Sequence, residues 1–187
     1  MGETPLFPDL QEIFRMGVQE ILPVSEWPEV FNVDEPSEDR FLSISQKCEF
    51  VFGAETSNGI FLRSGWAGFK FFVRFHGTTA GIDNLEFRLQ PPRQRLMDGL
   101  YRVTKLLQSW NTDVFHIDQT GDDVTLTISS IRKNVTPVQA RIGQHFFAGL
   151  YQEYLYWAGG GKQYPFEVKP LGEEPAVRVR FRLLPVE

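Results

Sequence analysis

The segment 142–158 (IGQHFFAGLYQEYLYWA) constrains the fold most, because it predicts a helix whose side chains are apolar around almost the whole circumference. A surface helix would carry polar side chains along one side. This helix therefore has to be enclosed by other elements. The glycines at 159–161 predict where it ends. We expect the rest of the chain to pack around it.

The remaining pattern alternates helices with pairs of short strands. Helical spacing of apolar residues predicts three further helices, at 8–22, at 64–76 with Ser64 as N-cap and Gly77 as its end, and at 93–110. Short apolar runs separated by turn residues predict hairpins at 42–63, at 113–131, and at 164–170 with 175–184. Hairpins joined by helices indicate an α+β fold, with an antiparallel sheet built from hairpins and helices packed on one of its faces.

The length of 187 residues suits one domain. The stretch 23–41 is rich in proline and acidic residues and predicts an irregular connector. We divide the chain into residues 1–45, an N-terminal helix and irregular extension packed on the domain, and residues 46–187, the domain itself.

Charge and composition exclude several classes of function. The net charge of −5 argues against nucleic-acid binding, which requires a basic surface. The single cysteine, Cys48, fits a reducing compartment and a buried, unreactive thiol. Since the N-terminal sequence lacks the pattern of a secretory signal and no run of about 18 apolar residues spans a membrane, we expect a cytoplasmic protein.

Catalytic motifs are difficult to find. The three histidines, His76, His116 and His145, form no HExxH pair, and no GxSxG or dinucleotide-binding glycine motif is present. The glycines of GWAG at 65–68 are typical of close helix packing. Two interpretations of His145 are open: it is a metal ligand, or it is an ordinary histidine with one hydrogen bond. The arginines 178, 180 and 182 form a stripe that binds an anionic partner or pairs with acidic residues on neighbouring strands.

Four segments together resemble the 4-vinyl-reductase, or hydrocarbon-binding, domain family across about residues 59–184. They are GIFLRSGWAGFKFFVRF with Arg63, Gly65 and Gly68, LLQSWNTDVFHIDQTGDDVTLTISS, QHFFAGLYQEYLYWAGGGKQYPFEVK and the closing RVRFRL. The resemblance implies a fold like that of vesicle-tethering transport-particle subunits, a homodimer, and a hydrophobic cavity between helices and sheet. It also implies binding of small hydrophobic or aromatic molecules, with links to chlorophyll pathways.

Zinc-binding members of that family hold the metal through one cysteine at the start of the long helix, a glutamate, and two later cysteines. This chain carries Gln144 and His145 at the helix start, keeps Glu167, and has Pro170 and Arg178 near the later positions. Because proline and arginine do not ligate zinc, we predict no metal site.

The leading hypothesis is therefore non-catalytic binding of a small hydrophobic ligand, plausibly a tetrapyrrole of the chlorophyll or bilin type. The motivation is the aromatic content, 14% with 17 phenylalanines, concentrated on faces that should meet. The alternatives are a dimeric scaffold or assembly factor for photosynthetic complexes, with a protein partner and no ligand, and a vinyl reductase subunit. The predicted ligand-binding residues are Trp66, Phe69, Phe72, Trp110, Phe115, His145, Phe147 and Tyr151.

Overall fold

The computed structural model describes residues 10–22, 37–110, 113–132 and 135–186, with the backbone alone described for 37–41. The helices are α1 (Leu10–Ile21), α2 (Ser37–Phe52), α3 (Ala54–Ala80), α4 (Leu85–Arg88), α5 (Pro92–Trp110) and α6 (Pro137–Ala158). The strands are β1 (Asp113–Thr120), β2 (Asp123–Ser130), β3 (Phe166–Pro170) and β4 (Ala176–Arg182).

The four strands form one antiparallel sheet in the order β1-β2-β4-β3. One face is apolar: Val124, Leu126 and Ile128 of β2 are fully buried, and so are Val177 and Val179 of β4. Helices α5 and α6 contact the sheet, and α1, α2 and α3 pack behind them. The predicted α+β class is confirmed.

Helix α6 occupies the centre of the molecule. Thirteen of its residues are buried, in agreement with its apolar circumference. The helix begins at Pro137, five residues before the predicted start, because Thr136 caps it. The Thr136 hydroxyl accepts a hydrogen bond from the Gln139 backbone N–H, and the Gln139 side-chain oxygen accepts one from the Thr136 backbone N–H.

Glycines allow three helices to cross at close range. A Cβ atom added to Gly65 of α3 would lie 1.9 Å from the carbonyl oxygen of Phe146 on α6. One added to Gly149 of α6 would lie 1.9 Å from the carbonyl oxygen of Leu62 on α3. One added to Gly17 of α1 would lie 2.1 Å from a backbone oxygen of α3. Each helix can approach its neighbour only because the side chain is missing.

The predicted hairpin at 42–63 is wrong. Residues 37–52 and 54–80 are helical, and the break between them is Gly53, whose φ of +77° suits glycine. The short aromatic and β-branched runs satisfy a strand pattern and a helix pattern equally, and packing against α1 and α6 decides for the helix. The boundary between residues 45 and 46 falls inside α2.

The predicted ends of the helix at 64–76 are also wrong. Ser64 is not an N-cap, since it lies inside α3 and its hydroxyl donates to the Ile60 carbonyl oxygen at 2.7 Å. The helix continues past Gly77 and ends at Gly81, which has a φ of +70° and caps it in the left-handed conformation. Part of the predicted connector, residues 37–41, belongs to α2; residues 23–36 lie outside the described residues.

The arginine stripe on β4 faces away from the helices. In the strand register Arg180 lies opposite Glu167, and Arg182 donates to Asp123 at 3.0 Å. These contacts favour pairing with neighbouring strands over an anionic partner. Within the ranges given above, no helix combines the length and apolar character needed to cross a membrane.

Candidate ligand-binding site

An open cleft of about 1030 Å³ lies between the exposed side of α3, the second half of α6 and the start of β3. We call it the α3–α6 cleft. Its walls carry six aromatic residues within a longer lining. These are Trp66 and Phe69 of α3, Tyr156 and Trp157 of α6, Tyr164 of the following loop and Phe166 of β3. Its volume is at the upper end of the range, about 300–1,000 Å³, in which proteins bind small molecules.

The rim of the cleft is charged. Arg63 and Lys70 lie on α3, Glu20 on α1 and Glu153 on α6. The Lys70 ammonium pairs with the Glu20 carboxylate at 2.7 Å. No acidic residue in the described ranges forms an ion pair with Arg63, which is exposed. Arg63 is therefore the cation at this rim that remains available to an anionic group.

Trp66 connects the two helices across the cleft. It is 55% exposed, and its indole N–H donates a hydrogen bond to a carboxylate oxygen of Glu153. Partial burial raises the pKa of the Glu153 carboxyl. One face of a large aromatic ring is thus held in a fixed position beside the open space.

Two further groups of rings pack in the interior, with Trp110 of the first group partly exposed. Phe72 of α3 contacts Trp110 of α5, with ring centroids 6.1 Å apart. Phe147 and Tyr151 of α6 contact Phe115 of β1, at 5.3 and 6.3 Å. Phe72, Phe147 and Tyr151 are fully buried. These rings pack on one another and not around a space.

The polar atoms of this interior are paired. The hydroxyl groups of Tyr151 and Thr104 lie 2.8 Å apart, and both side chains are buried. The Tyr154 hydroxyl donates to the Leu96 carbonyl oxygen at 2.9 Å. Burial raises the pKa of both phenols, so both stay protonated at neutral pH.

The predicted ligand-binding residues therefore separate into different places. Trp66 and Phe69 line the α3–α6 cleft, and the five rings named above belong to the two interior groups. His145 lies elsewhere: it is partly buried near the start of α6, and its Nδ1–H donates to the Arg141 carbonyl oxygen at 2.6 Å. Burial lowers the pKa of its imidazole. This geometry agrees with the interpretation of His145 as an ordinary histidine that makes one hydrogen bond to the backbone.

The other candidate donors also lie outside the cleft. His76 is buried on α3 with its ring 4.4 Å from the Trp110 ring, and His116 is exposed on β1 beside Asp118. Cys48 is fully buried in α2, and burial raises the pKa of its thiol to about 12. Among the residues that the structure describes, no three His, Cys, Asp or Glu side chains are grouped to hold a metal ion. The absence of a metal site remains a prediction.

Sequence reasoning missed Arg63, Lys70, Glu153 and the aromatic residues near the end of α6. One signal was present: residues 63, 66 and 70 have the i, i+3, i+7 spacing of a single helix face. Placing Arg63 in a strand concealed that spacing.

The elements in this order define an α+β domain in which a long helical layer covers one four-stranded antiparallel sheet. Solved structures with a similar fold include H-NOX domains. The unliganded Fe(II) H-NOX protein from K. algicida is 12% identical, with a TM-score of 0.57 over 92% of this chain and 95% of that one.

An oxygen-binding H-NOX domain related to soluble guanylate cyclases, solved as its oxygen complex, is 14% identical, with a TM-score of 0.53 over 94% and 95% of the two chains. A third structure, which concerns modulation of haem redox potential by protein-induced porphyrin distortion, is 16% identical, with a TM-score of 0.56 and 95% of both chains covered. No family model and no curated protein matches the sequence.

These similarities correct the family assignment. The resemblance to 4-vinyl-reductase domains is wrong, because the neighbours in structure over almost the whole chain are H-NOX domains. The motifs that suggested it are short, and one of them misled for a structural reason. The residues around Arg63 belong to the middle of a long helix, not to a strand followed by a helix. At 12–16% identity, the comparison establishes the fold.

Proposed function

We propose that this protein is a non-catalytic binding domain that holds a flat, amphipathic aromatic molecule of the tetrapyrrole class in the α3–α6 cleft. The ring system would lie against Trp66 and its neighbours, and an acidic substituent would pair with Arg63. The observation that carries this proposal is the combination, in one open cleft, of six aromatic side chains with Arg63 at the rim, which forms no ion pair with an acidic residue of the described ranges.

Two arguments favour the cleft over the interior. The interior rings are in mutual contact, and Phe72, Phe147 and Tyr151 among them are fully buried, so a ligand there would have to displace them. The cleft already provides the space, with apolar walls and a few charged groups, which is the usual composition of a small-molecule site. The haem and porphyrin named for one structural neighbour support a tetrapyrrole as the ligand class.

Titration of the full chain with protoporphyrin IX, followed by the absorbance of the porphyrin, tests the proposal. We expect saturable binding that weakens about tenfold in Trp66→Ala, since loss of a stacked ring costs on the order of 1.5 kcal/mol. Tyr101→Ala is the matched control, because Tyr101 is 51% exposed on α5 and does not line the cleft. Absence of saturable binding, or equal loss in the two variants, would refute the proposal.

A second pair of variants tests the charged rim. Arg63→Ala should weaken binding a few-fold at low salt and by less at high salt, because an exposed ion pair is screened. Arg74→Ala is the control, since Arg74 is exposed on the same helix and lies outside the cleft. A loss that is the same at every salt concentration would contradict a charge-pairing role for Arg63.

The filled interior favours a second candidate, a scaffold whose rings serve packing alone. In that case a partner chain or a second copy would bind an exposed apolar surface such as the end of α2, where Phe50 is 91% exposed. Measurement of the molar mass in solution at increasing concentration tests the homodimer. A mass that stays at 21.5 kDa would reject it.

A further inference from the structure

We infer that a tetrapyrrole bound in the α3–α6 cleft receives no axial imidazole or sulfur ligand from the described residues, so that these residues do not distinguish an iron porphyrin from a metal-free one. The inference rests on the proposed function and narrows its ligand class. It follows from where the donor atoms of this chain lie, and it sets this chain apart from a protein that holds haem through its iron.

The donors that hold porphyrin iron in proteins are imidazole nitrogen, cysteine or methionine sulfur, and tyrosine oxygen. All three histidines and the single cysteine of the chain belong to the described residues. None of them lines the cleft, and neither do the two methionines of the described residues, Met16 and Met97. Every imidazole and the thiol therefore lie outside the cleft.

Each histidine is held away from the cleft by its own environment. His76 lies on α3 one turn past Val73, where its ring packs edge-on against Trp110 of α5. His145 is bonded to backbone near the other end of α6, and His116 is exposed on β1. Bringing any of these imidazoles over a ring stacked on Trp66 would require a helix or strand to move.

The oxygen donors of the cleft are poorly suited to iron. Glu20 is paired with Lys70, and Glu153 accepts the Trp66 indole N–H. Burial raises the pKa of the Tyr164 phenol, so its hydroxyl stays protonated at neutral pH. Tyr156 is the remaining phenol of the wall. The carboxylates are occupied and Tyr164 is neutral, so Tyr156 is the oxygen donor that an experiment has to exclude.

The interior provides no free phenol for iron. Its phenols are hydrogen-bonded and protonated, and the α5 side chains buried against it are Leu96, Leu100, Val103, Thr104 and Leu107. Apart from the Thr104 hydroxyl these are apolar groups without a lone pair for iron. His76 and Cys48 are also buried, and no imidazole or sulfur atom of the described residues lines the cleft, so these residues do not fit a haem held in the cleft through an imidazole or sulfur ligand.

Parallel titrations of the full chain with protoporphyrin IX and with ferric iron protoporphyrin test the inference. We expect dissociation constants within about threefold of each other, and a ferric spectrum without the bands of a low-spin, histidine-ligated iron. Tyr156→Phe and His76→Gln should leave that spectrum and the ratio of the two constants unchanged. Circular dichroism of each variant confirms that it is folded.

Three results would overturn the inference, and they are distinguishable from failure of the proposed function. Iron protoporphyrin binding more than tenfold tighter than the metal-free ring, a low-spin ferric spectrum, or a spectrum that changes in Tyr156→Phe or His76→Gln would each identify an axial ligand. The proposed function would then stand and the inference would fall. Absence of binding by both porphyrins would overturn the two together.

Discussion

Substitution of Gly65 by alanine should destabilise the protein by about 3 kcal/mol or more, because this glycine sets the distance between α3 and α6. The added Cβ would lie 1.9 Å from the Phe146 carbonyl oxygen, where ordinary C···O contacts begin near about 3.3 Å. The atom in the way is backbone, so no side-chain rotation relieves the clash. The helices have to separate by roughly 1.4 Å, the difference between those two distances.

Separation on that scale removes much of the packing between the helices. A gap of about 0.5–1 Å already costs a quarter to a half of the dispersion energy of each contact. Overpacking of a core costs about 1–3 kcal/mol and occasionally more, and here both partners of the clash are rigid. For a domain of this size a loss of 3 kcal/mol corresponds to a fall in Tm of roughly 6–12 °C.

Gly59 on the same helix supplies the control. A Cβ added there meets nothing within 4 Å. Gly59→Ala should therefore show the helix propensity effect alone, a stabilisation of up to about 1 kcal/mol. Urea denaturation of both variants and the wild type measures the contrast. Equal effects of the two substitutions, or a stabilising Gly65→Ala, would refute the account of the helix crossing.

Three further predictions concern the core, the thiol and a helix cap. Tyr151→Phe should cost about 1–2 kcal/mol in urea denaturation because it leaves the buried Thr104 hydroxyl without its partner, and adding Thr104→Val should recover part of that loss. Additive costs would contradict a direct hydrogen bond. Cys48 should react with a thiol reagent near pH 8 only after unfolding. Since burial raises the thiol pKa to about 12, the unfolded state releases this proton first, and the thiol contribution to stability should decline from about pH 8.5 towards pH 12. Fast labelling of the folded protein would refute this. Thr136→Ala should cost about 1 kcal/mol by removing the cap of α6, and an unchanged denaturation midpoint would show that the cap adds no stability.

The second half of the fold could be predicted from sequence because each hydrophobic pattern there fits only one type of secondary structure. The amphipathic spacing of α5 begins at a proline, α6 is apolar on every side, and the strand β4 alternates strictly between valine or phenylalanine and arginine. Each pattern is long enough to exclude the alternative period. The predicted elements therefore match the observed ones to within a few residues there.

The first half could not be predicted in the same way. The runs around Cys48 and Ile60 are four to six residues long, and such runs fit a buried strand or a buried helix. What decides between them is contact with α1 and α6, which lie more than 25 residues away in sequence. The cleft was missed for the same reason. The alignment of Arg63 with Trp66 appears only when both belong to one helix.

The aromatic residues illustrate why composition alone does not identify a site. Phe72, Phe147 and Tyr151 are fully buried against other rings and account for packing. Trp66 is 55% exposed at the edge of the α3–α6 cleft and provides a surface on which a ligand can bind. The sequence presents the same residue class in both roles. Only the exposure of each ring, set by the packing of the helices, separates a filled core from a lined cleft.

The helix crossing and the cleft are two consequences of the same glycines. Gly65 precedes Trp66 in sequence, and Gly149 precedes Glu153 by about one turn of α6. Close approach of the backbones at these glycines brings the Trp66 indole within hydrogen-bond reach of Glu153 across the gap. Forcing the helices apart at Gly65 should therefore weaken porphyrin binding as well as stability, whereas Trp66→Ala should weaken binding with little effect on the core. If a Gly65→Ala protein stays folded and binds porphyrin as tightly as the wild type, the cleft does not depend on the close crossing of α3 and α6.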